Sequence, residues 1–276
     1  MSMPVLVTGA SSGIGRNITE RLAGNGHIVY ATARKAEDLE ALNSIDNVQA
    51  IRLDVTSQDD VDAAVETVVS KGKGLHAIVN NAGVAVIDTM TQVAEADIDF
   101  VFGANIYGPY RVTKAFAPML LEYGGRIATI GSISGFCSGS NDGVYAMSKF
   151  AMEAFTDALA DELEPQGVKV SVIEPGSFSS PIWRKVAERI EEQESAQNLI
   201  AFGDGLPEPD AVSAAVEHAL FSDQPKRRYM VTPDQEQAGG TLQHAIRRVA
   251  ELNHDHEFSY SREQLVEMLY EALDAL

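Results

Sequence analysis

The chain of 276 residues has little cysteine, few basic side chains and no long apolar run. Its single cysteine, Cys137, excludes an internal disulfide framework and fits a reducing compartment. The 40 acidic residues outnumber the 21 basic ones, and the formal charge of −19 argues against nucleic acid or an anionic membrane as a partner. No apolar segment approaches the ~20 residues that span a membrane. A glycine-rich turn as early as Gly9 is not expected to follow a signal peptide, so we expect a cytoplasmic protein.

Short apolar runs alternate with segments of helical period through the first two thirds of the chain. The predicted strands are Val5–Thr8, Ile28–Thr32, Val48–Leu53, Ala77–Val79, Arg126–Ile130 and Val168–Ile173. The predicted helices between them are Ile14–Asn25, Ala36–Leu42, Gln58–Val69, Tyr110–Glu122 and Val144–Glu164. This alternation predicts a doubly wound α/β fold of the Rossmann type, with a parallel sheet covered by helices on both faces. We expect one domain over residues 1–276.

Beyond Pro175 the pattern becomes looser. We predict a polar helix over Ser180–Ala196, a helix that Pro207–Asp210 opens and that runs to Phe221, and a seventh strand over Arg228–Val231. Residues 233–276 read as a short helical extension. It ends in a helix that begins with a capping box of Ser261 and Gln264. The cluster His254–Glu257 resembles metal ligands but is better explained as a solvated loop, and we predict no metal site.

The first apolar run ends in a turn with three glycines, Gly9, Gly13 and Gly15. A strand, a tight turn and a helix start in this order place free backbone N–H groups and the positive end of a helix dipole together, which suits a diphosphate. Alone this is weak evidence, because glycine turns after strands are common and the spacing differs from GxGxxG.

A second motif consists of Tyr145 and Lys149, four residues apart on a predicted helix and therefore on one face. A tyrosine titrates near ~10 in isolation, and a nearby ammonium should lower that pKa towards a useful value for proton transfer. An ordinary exposed helix pair is the alternative. Ser132 lies thirteen residues upstream of the tyrosine, and this spacing resembles the catalytic motif of a known enzyme family, which favours a catalytic group.

Together with Asn80–Gly83, Asn105 and Pro175–Gly176, these motifs resemble the short-chain dehydrogenase/reductase family over about residues 3–180. The resemblance implies that Tyr145 exchanges a proton with the substrate C–O group and that Ser132 hydrogen bonds to the same oxygen. It implies that Lys149 also holds the nicotinamide ribose and that Asn105 positions a water. Hydride transfer would be the chemistry of the cofactor. The cofactor-binding set that we predict also includes Gly9, Ser11, Ser12, Gly13, Ile14, Gly15, Arg34, Asp54, Val55, Asn81, Ala82, Gly83, Tyr145, Lys149, Pro175, Gly176 and Ser180.

The end of the second strand bears on the choice of cofactor. Ala33 stands where the family's NAD enzymes carry an aspartate, and Arg34 follows it. An arginine there can bind the 2′-phosphate of NADP, so we predict that NADP(H) is moderately preferred over NAD(H). Arg34 could instead be a solvated loop charge, and Asp54 could serve to cap the next turn. Ser180 replaces the family's threonine after Pro175–Gly176 and keeps its hydrogen-bonding capacity.

The second strand, the Ile173–Phe178 segment and Arg228–Tyr229 resemble the hydroxysteroid and retinol dehydrogenase branch of that family. Residues 177–225 then form the substrate lid and its following helix, with Phe178, Ile182 and Trp183 as an apolar inner face. The resemblance implies a small-molecule substrate, a hydrophobic carbonyl or alcohol of steroid-like character. It also suggests a homodimer or homotetramer built through the helices Tyr110–Glu122 and Val144–Glu164.

Two other functions stay open at this point. The chain could be a non-catalytic regulator that binds a dinucleotide, although such a sensor has no need of Asn105, Ser132, Tyr145 and Lys149 together. A sugar-nucleotide epimerase is disfavoured by the glycine spacing and by the modest C-terminal portion.

Overall fold

The computed structural model describes residues 3–276 and places a seven-stranded parallel sheet at the centre. The strands are β1 (Pro4–Val7), β2 (Ile28–Ala33), β3 (Val48–Arg52), β4 (Ala77–Asn80), β5 (Arg126–Ile130), β6 (Lys169–Pro175) and β7 (Arg228–Val231). Their spatial order is β3-β2-β1-β4-β5-β6-β7, and every neighbouring pair is parallel. The order reverses between β1 and β4, where an open α/β sheet has its ligand crevice. The predicted doubly wound fold is confirmed.

Helices cover both faces of this sheet, as the predicted crossovers require. They are α1 (Gly13–Gly24), α2 (Ala36–Asn43), α3 (Gln58–Ser70), α4 (Glu95–Phe102), α5 (Gly108–Tyr123), α6 (Gly143–Leu163), α7 (Ile182–Ala187), α8 (Gln193–Asp204), α9 (Asp210–Phe221), α10 (Gln235–Leu252) and α11 (Arg262–Asp274). One hydrophobic core lies under α1, α2 and α9, and the other lies under α3, α5 and α6. The central strands β1 and β2 are nearly continuous apolar runs because both of their faces are buried.

Two segments differ from the sequence prediction. The helix expected over residues 180–196 is two short helices, α7 and α8, which fold back on each other so closely that a Cβ at Gly203 would lie 2.6 Å from Trp183 Cβ. The periodicity of the sequence does not show that α7 ends and that α8 then folds back against it. The second difference is α4, which continues through a π-helical segment, Gly103–Tyr107, into α5. The sequence analysis predicts no helix in this region. In the structure several of its apolar residues are exposed, so they do not form the regular buried face by which a helix is identified.

The C-terminal extension is helical, and the capping box at Ser261 is confirmed by both of its hydrogen bonds. Leu269 and Leu273 of α11 do not pack into the core, as each of them is more than half exposed. The His254–Glu257 cluster lies in the connection between α10 and α11. Across residues 3–276, no helix has the length and apolar character needed to span a membrane.

Candidate active site

The glycine turn is shaped by close contact with the loop after β4. Gly9 and Gly13 have φ values of +64° and +53°, which glycine adopts without strain. A Cβ at Gly9 would lie 2.9 Å from Ala82 Cα, and one at Gly15 would overlap the side-chain nitrogen of Asn81. The three glycines are therefore required by packing within the protein.

Thr8 and Asn81 bind these two turns together. The Thr8 hydroxyl accepts hydrogen bonds from the backbone N–H groups of Asn81 and Ala82 at 2.9 and 3.0 Å. The Asn81 side chain donates to the carbonyls of Thr8 and Gly9 at 2.8 and 3.1 Å. The amide of Asn81, predicted to bind cofactor, thus holds the glycine turn in place. This role depends on two segments about 70 residues apart, which one sequence does not reveal.

The start of α1 suits an anion. Ser12 is its N-cap in an extended conformation, but its side chain makes no capping hydrogen bond, and the first turn carries no acidic residue. The N–H groups at this end and the positive end of the helix dipole thus have no competing carboxylate there. Ser180 lies against this turn, since a Cβ at Gly13 would be 2.8 Å from its Oγ. The residues present fit the diphosphate of a dinucleotide.

At the end of β2, Ala33 is buried and Arg34 is 63% exposed. Arg34 Nη1 lies 3.6 Å from Asp54 Oδ2, and the same carboxylate accepts hydrogen bonds from the backbone N–H and the hydroxyl of Thr56. Burial raises the pKa of Asp54, but the Thr56 hydrogen bonds and the Arg34 charge together bring it below its usual value. Both roles considered for Asp54, turn capping and a place in the cofactor-binding set, are compatible with this position. Val55 packs against Gly108, with a distance of 2.8 Å from its Cγ2 to a Cβ placed there.

Ser132, Tyr145 and Lys149 meet beyond the carboxyl end of β5. Ser132 caps a 3₁₀ turn, Ile133–Gly135, and its Oγ accepts a hydrogen bond from the Ser134 N–H at 3.1 Å. Lys149 is only 7% exposed; its Nζ donates to the Ile130 carbonyl at 2.8 Å and lies 5.5 Å from the centre of the Tyr145 ring. The helical spacing predicted this shared face correctly.

The electrostatics of this group correct one expectation. Burial raises the pKa of Tyr145 to about 12, while a hydrogen bond with Ser132 opposes the rise. Burial also lowers the pKa of Lys149 to about 8, against the opposing charge of Glu153. The expectation of a lowered pKa for Tyr145 is therefore wrong for this structure, because burial and the Asp142 charge both raise it and only the hydrogen bond with Ser132 opposes them.

Asn105 lies in the π-helical segment and is almost fully buried. Its side chain accepts from the Val84 N–H at 2.8 Å and donates to the Val84 carbonyl and the Ser148 hydroxyl, both at 2.9 Å. It therefore joins the loop after β4 to α6 one residue before Lys149. Segments of π-helix are frequent at functional sites. The sequence indicated Asn105 only through the family resemblance, with a helix cap as the alternative.

The segment after β6 places Pro175, Gly176 and Ser180 at the same edge of the sheet. A Cβ at Gly176 would lie 2.5 Å from Gln237 Oε1, which also accepts a hydrogen bond from the Ser177 N–H at 2.8 Å. Gln237 on α10 is thus a neighbour of the site that the sequence did not indicate.

The lid differs from its prediction at Phe178. This side chain is buried in the core beside Val212 and Val216 and does not form part of an exposed inner face. Trp183 donates its indole N–H to the Phe178 carbonyl at 3.0 Å and packs edge-on against Phe202, with 5.1 Å between ring centres. Trp183 therefore joins α7 to α8 and to the segment after β6.

Behind Lys149 lies a cluster of charged side chains that the sequence analysis did not identify. Arg228 on β7 contacts Glu153 Oε2 at 3.1 Å, Asp157 Oδ2 at 2.7 Å and Glu174 Oε1 at 3.7 Å. Glu153, Asp157, Glu174 and Arg228 are called the acid cluster below. Its members come from α6, β6 and β7, and only the i, i+4 spacing of Lys149, Glu153 and Asp157 is visible in the sequence.

Comparisons with known proteins agree with this geometry. Residues 4–191 match the short chain dehydrogenase family. The chain is 37% identical over 238 residues to the uncharacterized oxidoreductase YbbO of Escherichia coli K12, covering 84% of this chain and 86% of that protein. It is 32% identical over 257 residues to mouse retinol dehydrogenase 5, covering 82% and 79%. A solved short-chain dehydrogenase of Streptomyces avermitilis superposes with a TM-score of 0.79 at 30% identity, covering 91% and 96%.

A parallel sheet with its switch point between β1 and β4, and polar groups gathered at that edge, defines a doubly wound α/β protein of the Rossmann type. With the family match over more than half of its length, the chain belongs to the short-chain dehydrogenase family of oxidoreductases.

Proposed function

We propose that the protein is an NADP(H)-dependent oxidoreductase that interconverts a hydrophobic ketone or aldehyde with the corresponding alcohol. The observation that carries this proposal is the convergence of Ser132, Tyr145 and Lys149 beyond the carboxyl end of β5, at the same edge of the sheet as the free start of α1. A regulator that only binds a dinucleotide would need the free start of α1 but not the three side chains.

In the direction of carbonyl reduction, Tyr145 is the proton donor. Its pKa of about 12 keeps the hydroxyl protonated at neutral pH, and the hydrogen bond with Ser132 orients it. Both hydroxyls can donate to the substrate oxygen as negative charge develops there, which stabilises the transition state more than the ground state. The nicotinamide supplies hydride when it is bound.

Lys149 acts as a positive charge beside the tyrosine ring. Its ammonium is held at the Ile130 carbonyl, 5.5 Å from the ring centre, where it favours any negative charge on the phenolic oxygen. Asn105 fixes the distance between this part of α6 and the loop after β4 through Ser148 and Val84.

The preference for NADP(H) is supported by Arg34. Its guanidinium is exposed at the carboxyl end of β2, and the end of this strand carries no acid because Ala33 is there. Arg34 also contacts Asp54, so the 2′-phosphate would share or replace that contact. The substrate class is supported by the similarity to retinol dehydrogenase 5 and by the aromatic contact of Trp183 with Phe202 in the lid.

The test is oxidation of NADPH, followed at 340 nm, with a series of ketones and aldehydes of increasing size. Oxidation that depends on a carbonyl compound and is absent in Tyr145→Phe supports the proposal. Binding of NADPH without turnover on any of the compounds would favour the regulator. The single domain over residues 1–276, the lid over residues 177–225, the cytoplasmic location and the homodimer or homotetramer stay predictions.

A further inference from the structure

The acid cluster lies directly beneath the turn that carries Ser132. A Cβ at Gly131 would be 3.3 Å from Glu153 Oε1, and one at Gly135 would be 3.0 Å from the same oxygen. These two glycines stand on either side of Ser132 and its 3₁₀ turn, and neither has a positive φ. At Gly135 the carboxyl group of Glu153 occupies the space that a side chain would fill, whereas at Gly131 a Cβ would meet Val172 Cγ2 at 2.8 Å as well as Glu153.

The cluster holds more acid than one arginine neutralises. Glu153 and Glu174 are both buried, and both contact Arg228. Two buried carboxylates at one guanidinium disfavour double ionisation, so the pair retains one shared proton. Burial and the neighbouring Glu153 charge raise the pKa of Glu174 to about 8, which leaves the proton on Glu174 and the negative charge on Glu153.

That negative charge lies one helical turn from Lys149, on the same face of α6. Lys149 is buried, and its Nζ has one hydrogen-bond partner, the neutral carbonyl of Ile130. An ammonium in this setting loses its proton readily unless a negative charge faces it.

We propose that Glu153 is a positioning residue that keeps Lys149 charged, and that Glu174 and Arg228 hold Glu153 in place as a single negative charge. The proposal rests on the proposed function for its consequence in catalysis, but the charge of Lys149 is a property of the chain alone. The other charged groups around α6 are farther along it or directed elsewhere: Asp157 contacts Arg228, Asp142 acts on Tyr145, and Arg248 of α10 lies over Phe150.

The test is a pH titration of Lys149 in the cofactor-free protein. In protein labelled with ¹³C-lysine, the Cε shift reports the charge, and Lys149→Met assigns the resonance. The wild-type midpoint should be near pH 8. Glu153→Gln keeps the shape of the side chain and should lower the midpoint by about one pH unit, since a buried opposite charge one helical turn away favours the charged form of the lysine by an amount of this order.

Asp161→Asn is the matched control, because it removes the same charge from the same helix about three turns from Lys149, at a residue that pairs with Arg227 and not with Arg228. Its midpoint should equal that of the wild type. An unchanged midpoint in Glu153→Gln overturns the proposal, and so does an equal shift in both variants, which would indicate a general effect of net charge.

A second measurement needs no variant and decides the matter if Glu153→Gln does not fold. In wild-type protein labelled with ¹³C at the glutamate carboxyl groups, Glu174 should keep its protonated shift until the pH approaches 8. Ionisation of both Glu153 and Glu174 near the ordinary glutamate pKa of ~4.3 overturns the shared proton and with it the proposal. Neither titration uses turnover, so an enzyme that reduces no carbonyl compound would refute the proposed function without affecting this result.

Discussion

We expect that cofactor choice can be reversed at the end of β2. Replacing Arg34 by alanine removes the cation proposed to bind the 2′-phosphate, and Ala33→Asp introduces a carboxylate that can accept from a ribose 2′-hydroxyl and would repel the phosphate. We expect the double variant Ala33→Asp/Arg34→Ala to prefer NAD(H). Arg34→Ala removes an attraction and Ala33→Asp adds a repulsion, so the double variant should change the cofactor preference more than either single variant.

The size of the wild-type preference follows from the exposure of Arg34. A charge-assisted hydrogen bond contributes roughly 1.5–3 kcal/mol when well formed. Arg34 is 63% exposed and already lies 3.6 Å from Asp54, so screening by solvent and competition with that carboxylate reduce the gain. About 1–2 kcal/mol remains, which corresponds to a roughly 5- to 30-fold preference for NADP(H). The preference should weaken as salt is added.

The measurement is kcat/KM for NADPH and NADH in the wild type, the single variants and the double variant. Lys35→Ala is the matched control: this neighbouring cation is also exposed, but it pairs with Glu37 at 3.6 Å and should change the ratio little. A wild-type enzyme that uses both cofactors equally, or a Lys35→Ala variant that loses as much as Arg34→Ala, would show that this account of β2 is wrong.

Three further predictions concern the rest of the site. Tyr145→Phe should lower kcat by ~10²–10⁴-fold while the KM for NADPH stays near its wild-type value, because only the proton donor is lost; unchanged kcat would contradict this. The rate of carbonyl reduction should fall as the pH rises through about 8, since Lys149 is charged below that pH and neutral above it; a rate that stays flat to pH 10 would contradict a catalytic role for the ammonium. Gly15→Ala should lower the thermal midpoint and weaken NADPH binding together, because the new Cβ displaces the Asn81 side chain from the glycine turn, whereas Gly24→Ala, with no atom within 4 Å of the new Cβ, should affect neither.

Local chemistry explains what could be predicted from the sequence. The ends of Arg126–Ile130 and Arg228–Val231 were predicted to the residue, because each is an apolar run between polar segments. The shared face of Tyr145 and Lys149 followed from helical spacing alone. Contacts between distant segments did not: the hydrogen bonds from Asn81 to Thr8 and Gly9, and the packing of Trp183 on Gly203, depend on how finished elements meet. The sequence also does not show how deeply Tyr145 is buried, and this burial reversed the expected shift in its pKa.

The large negative charge of the chain opposes the binding of an anionic cofactor at the carboxyl edge of the sheet. A formal charge of −19 repels an anionic dinucleotide, yet the carboxyl groups nearest the site carry little unbalanced charge. Asp54 lies beside Arg34, Glu153 and Asp157 contact Arg228, and Glu174 keeps its proton up to about pH 8. The first turn of α1 has no acid at all. The negative field of the surface is therefore reduced at the start of α1 and beside Arg34, where we expect the phosphates to bind.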